Sequence, residues 1–65
     1  MSLSPIDVIR MALEKEKEAV QEYSEFAKTA EEADIRDMFL FLVEEEKKHV
    51  KLLQDEIEKE VYQEM

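Results

Sequence analysis

Residues 31–34, Glu31-Glu32-Ala33-Asp34, decide how this 65-residue chain folds. Before them, apolar side chains recur at Ile9, Ala12, Leu13, Ala19, Val20, Tyr23, Phe26, Ala27 and Ala30, the three-to-four spacing of one helical face. After them a second stripe runs through Ile35, Met38, Phe39, Leu42, Val43, Val50, Leu53, Ile57 and Val61. The acidic segment interrupts both. The pattern predicts two helices, about 4–32 and about 35–62, with Asp34 capping the second and Asp37 in its first turn. A connection this short makes the helices antiparallel neighbours. Ser4-Pro5-Ile6-Asp7 marks the start of the first: Ser4 can cap, Pro5 suits the first helical position, and Asp7 favours the positive end of the dipole. No segment carries a strand signal.

Composition narrows the classes. Charged residues make up 42% and hydrophobic ones 45%, with no glycine and a single proline, a mixture that fits amphipathic helices rather than disorder. A chain below ~70–80 residues rarely buries enough apolar surface to stand alone without a disulfide, a metal or a partner copy. There is no cysteine, so disulfides and thiolate metal sites are excluded, which leaves self-association, a metal held by oxygen and nitrogen, or both. The net charge of −9 argues against nucleic acid and anionic membrane as partners, because both are recognised through Lys/Arg clusters. No apolar run approaches the ~20 residues that span a bilayer, and no signal peptide is expected, since the N-terminus lacks the charged and apolar regions of one. A cytoplasmic protein with a single domain over residues 1–65 is expected.

Three polar residues lie inside the apolar stripes. At ~100° per residue, Glu16 falls in the centre of the first stripe, between Ile9 and Val20. Glu46 follows Leu42 and His49 precedes Leu53 on the second, one turn apart on the side that faces the other helix. The nearby Glu44, Glu45, Lys47, Lys48 and Lys51 fall mostly on the outer face. An unpaired buried carboxylate is costly, and proteins avoid it by pairing, protonation or coordination. No Lys or Arg lies on either stripe near Glu16 or Glu46, so a shared cation accounts for all three. With the turn at Ala33 and a rise of ~1.5 Å per residue, Glu16, Glu46 and His49 stand ~25, ~20 and ~24 Å from it. They share a height.

That height is also close to the middle of each helix. A two-fold axis crossing the hairpin there stacks two copies antiparallel in full overlap and unites their ligands. The dimer then offers two Glu16 side chains and two Glu46-x-x-His49 pairs, the ligand inventory of di-metal carboxylate bundles. The expected architecture is all-α: an antiparallel two-helix hairpin dimerising into a ferritin-like four-helix bundle. Leu40 and Phe41 point away from the main stripe, and subunit contact is their expected use, so assembly beyond the dimer is open.

Glu16-Lys17-Glu18-Ala19-Val20-Gln21-Glu22-Tyr23-Ser24-Glu25-Phe26-Ala27 resembles the first-helix pattern of rubrerythrins, and Glu45-Glu46-Lys47-Lys48-His49 resembles the Glu-x-x-His motif of their following helix. The resemblance implies a di-iron protein that reacts with oxygen or peroxide, with a ferroxidase, oxidase or peroxidase activity. It implies Glu16 as a terminal or bridging ligand, Glu46 as a bridging ligand, His49 as a terminal ligand, and Tyr23 as a hydrogen-bond donor to a ligand carboxylate. The chain holds half of the usual four-helix domain, and the cysteine-rich rubredoxin segment of rubrerythrin is missing. Reducing equivalents would then come from an external electron donor or from incoming Fe(II).

Each residue also has a plain structural use. Glu16 can be an acid that fixes register, His49 a hydrogen-bonded core histidine, Tyr23 a core aromatic whose hydroxyl finds any partner, and Met11 and Met38 filler. Their coincidence in height and facing favours the metal. Carboxylate-rich ligation with one imidazole per metal suits Fe or Mn, with Zn a further occupant. The alternative function is a helical association module without redox turnover.

Overall fold

The computed structural model describes residues 2–64, and the surroundings of side chains through residue 61; Met1 and Met65 lie outside the described residues. Two helices make up the fold, α1 (Pro5–Thr29) and α2 (Ala33–Glu64), with no strand among the described residues. The start of α1 follows the expected chemistry. The Asp7 amide donates to Ser4 Oγ at 3.2 Å, and the Ser4 amide donates back to Asp7 Oδ2 at 3.3 Å. This reciprocal box occupies two donors that the first turn leaves open, and Pro5 sits just inside it.

The connection lies upstream of the expected position, at residues 30–32. α1 ends at Thr29 rather than near Glu32, and α2 begins at Ala33 rather than Ile35. The Ala30 amide makes a last helical bond to the Phe26 carbonyl at 3.0 Å, then Ala30 turns extended at φ −69°, ψ 125°. No residue with positive φ is needed, which suits a chain without glycine. The helix dipoles explain the shift: Glu31 and Glu32 would meet the negative end of α1, but just ahead of α2 they meet a positive end. Asp34 is therefore not the cap. The Arg36 amide donates to the Glu32 carbonyl at 3.0 Å, and Asp34 lies within the first turn, its carboxylate accepting from the Ile35 amide at 3.0 Å.

The two helices pack side by side in a slab measuring 49 × 23 × 11 Å. Its thickness is that of one helix with side chains. Burial is correspondingly thin: Ile6, Leu13, Ala27 and Val43 are the buried hydrophobics, all on the seam between α1 and α2. Near the turn, Tyr23, Phe26 and Phe39 form an aromatic cluster, with Phe26 and Phe39 centroids 5.3 Å apart in a tilted arrangement. Several members of the predicted stripes, among them Ile35, Met38 and Val61, remain exposed because one hairpin has no second layer to cover them. Leu40 and Phe41 are exposed too. Leu40 lines a shallow groove with Ser24, Ala27, Lys28 and Arg36; Phe41 projects from the outer side of α2, about 100° further round. No helix of the described residues is long and apolar enough to cross a membrane.

Candidate metal centre

Glu16 sits midway along α1, and Glu46 and His49 sit one turn apart on α2. The antiparallel packing brings the three to one level. One ligand atom from each can be chosen so that all lie within 4.8 Å of one another. His49 Nδ1 is 3.4 Å from Glu46 Oε2 and 3.5 Å from Glu16 Oε2. A single ring nitrogen carries at most one proton, so it cannot satisfy both carboxylates.

The shortfall falls on Glu16. Its Oε2 is shielded from solvent and has no hydrogen-bond partner; the 3.5 Å approach of His49 is within ion-pair reach but lacks hydrogen-bond geometry. The surrounding acids differ. Glu14, Glu25, Glu44 and Glu45 each have a lysine three residues along at 3.2–3.8 Å, and Asp55 has Lys51. Among the described residues no Lys or Arg pairs with Glu16 or Glu46. Two of the acids closest to the protein's midline have thus been left to a single imidazole.

Side-chain exposure is graded across the cluster: 19% for Glu46, 32% for Glu16 and 52% for His49. The sequence put His49 on the side facing the other helix. It stands instead at the rim of that side, where the single hairpin ends and an open face begins. Glu45, assigned mostly to the outer face, is half-buried and paired with Lys48 at 3.2 Å. Tyr23 lies two turns along α1 from Glu16, its ring against Phe39 at a centroid distance of 6.1 Å. Among the described residues its hydroxyl makes no hydrogen bond to the three ligand candidates.

The donor set fits a divalent cation. Metal–oxygen and metal–nitrogen bonds of ~2.0–2.2 Å place ligand atoms ~3–4.4 Å apart, so small rotations of these side chains suffice. A cation would also give Glu16 Oε2 the partner it lacks. Three protein ligands are few for an iron or manganese ion, and they lie against an open face.

A model of the rubrerythrin family matches residues 3–64. The chain belongs to the rubrerythrin family. An uncharacterized protein of Archaeoglobus fulgidus is 33% identical over 55 residues, covering 85% of this chain and 86% of that relative. No solved structure matches. As a rubrerythrin-family member the chain carries, within two helices, the first-helix glutamate and the Glu-x-x-His pair that the sequence singled out.

Proposed function

We propose that this rubrerythrin-family chain is a di-iron carboxylate protein of the ferroxidase or peroxidase type, with its metal pair held between two copies of the hairpin in a four-helix bundle. The observation that supports this most directly is Glu16 Oε2: buried, charged-type, without a hydrogen bond, and pointed at Glu46 and His49. Each hairpin supplies Glu16, Glu46 and His49, and two hairpins supply four carboxylates and two imidazoles. That donor set favours Fe or Mn over a structural Zn site, which takes more nitrogen or sulfur.

When bound, an Fe(II) pair supplies two electrons, one per iron, enough to reduce one peroxide to two waters with two protons. The chain's own residues hold and shield. Glu16 and His49 would hold the metal from opposite helices at one height, Glu46, the least exposed of the three, would be the bridging ligand, and the Tyr23–Phe26–Phe39 cluster would shield the turn side from water. Tyr23 is the proposed hydrogen-bond donor to a ligand carboxylate once the site is assembled. With no cysteine in the chain, electrons for repeated turnover come from an external donor or from incoming Fe(II).

The second reading, an association module without redox turnover, draws on the exposed apolar side chains of the same face. Elemental analysis with native mass, on protein purified without chelator or affinity metal, separates the two. About two Fe or Mn per dimer, lost in Glu46→Ala, is the expected result. A dimer that takes up no metal even from anaerobic Fe(II) would leave only the association module.

A further inference from the structure

We infer that the second copy docks with its α1 lying antiparallel along this α1, through an alanine seam at Ala12 and Ala19, while α2 meets the partner's α2 through larger side chains. The inference rests on the dimeric reading above and specifies its partner geometry. With Glu16 and Glu46 aimed at the centre of a bundle, the positions about 50° to their open side are the ones that meet another hairpin. On α1 these include Ala12 and Ala19, flanked by Val8 and Tyr23. On α2 they include Met38, Leu42, His49 and Leu53. All are half-buried or exposed in the single hairpin.

The positions are symmetric. On α1, Ala12 and Ala19 are equidistant from a point between Lys15 and Glu16, and so are Val8 and Tyr23. On α2, Leu42 and His49 are equidistant from a point between Glu45 and Glu46, and so are Met38 and Leu53. These two midpoints flank the Glu16–Glu46–His49 cluster, which the fold holds at one level. One two-fold axis perpendicular to the helices therefore passes through both, setting Ala12 against the partner's Ala19 and Leu42 against the partner's His49. An axis parallel to the helices, which would place α1 against the partner's α2, requires no such symmetry. It would also gather Glu31, Glu32 and Asp34 of both copies at one end, whereas the perpendicular axis sends the two acidic turns to opposite ends of a slab 49 Å long.

Facing alanines let helix axes approach the ~8 Å lower end of normal packing, and facing Cα atoms then come within disulfide reach. The site is thereby drawn together on the α1 side, where Glu16 carries its unpartnered oxygen.

The chain's lack of cysteine makes the test clean. In the double variant Ala12→Cys/Ala19→Cys, residues 12 and 19 of one chain are ~10 Å apart along the helix, too far to join each other. Mild oxidation of the metal-loaded protein should give a covalent dimer whose peptides link residue 12 to residue 19 across chains. A second measurement needs no substitution. Short-spacer lysine cross-linking of wild-type protein, mixed from light and heavy isotope preparations, should join Lys15 to Lys15 between copies, because both stand beside the axis. A metal-binding dimer that gives neither link, or that joins Lys15 to Lys48 across chains, overturns the seam and leaves the metal site standing. A wild-type chain that remains monomeric and metal-free overturns the seam together with the reading beneath it.

Discussion

His49 Nδ1 lies 3.5 Å from Glu16 Oε2 and bridges the two helices without completing a hydrogen bond to it. A neutral amide in place of this carboxylate keeps the shape and removes the charge. In chelator-treated protein, Glu16→Gln should therefore unfold at the same temperature as wild type or higher, since an unsatisfied buried charge is lost. Metal uptake should fall sharply. Thermal unfolding beside elemental analysis checks both, and a loss of more than ~1 kcal/mol in the metal-free variant would show that Glu16 is held for structure.

Metal removal should act in the opposite direction on wild type. A ligand that binds only the folded state adds RT ln(1 + [L]/Kd), ~2.7 kcal/mol at a hundredfold excess over Kd. For a chain of this size that is a midpoint shift of roughly 10–20 °C. Calorimetry with Fe(II) under anaerobic conditions and with chelator measures it. In His49→Ala the two scans should converge, while the chelated variant stays within ~0.5 kcal/mol of chelated wild type, because the imidazole is half exposed.

The Ser4–Asp7 capping box anchors the start of α1 far from the ligands. Ser4→Ala should cost ~1 kcal/mol, or roughly 4–8 °C, without altering metal stoichiometry. A shift of less than ~1 °C in circular-dichroism melts would mean that the first turn frays at no cost.

Leu13 and Leu52 test where the core is. Leu13 is 8% exposed on the seam, and Leu52 is 66% exposed on the outer side of α2. Leu13→Ala should cost ~2–5 kcal/mol and Leu52→Ala less than ~0.5 kcal/mol, measured by urea unfolding at matched protein concentration. Equal losses would place Leu52 in a contact between copies.

The two helices were legible because their stripes are long and their interruption short. The cap of α2 was not. Asp34 is a better capping residue than Glu32, but the dipole at the end of α1 rejects the acids of Glu31-Glu32 and so moves the boundary upstream. Of the site, the common height of Glu16, Glu46 and His49 followed from counting residues, and the packing bears it out. The half exposure of His49 did not follow. Helical periodicity gives a direction from the axis, and whether anything stands in that direction depends on how many layers the fold has. That Glu16 lacks a basic partner was legible in the stripes; that the shortfall falls on its Oε2, with His49 at 3.5 Å and no hydrogen bond, was not, because periodicity fixes no side-chain rotamer.

The 11 Å thickness of the slab has a consequence for how such a protein behaves on dilution. A sheet of matter one helix deep has sides but no interior, so most of its apolar side chains can be covered only by another molecule. If two copies pair as proposed, the core is shared property and stability becomes a bimolecular quantity. The midpoint of unfolding, and with it the retention of any ion held between the halves, should then climb with the logarithm of protein concentration.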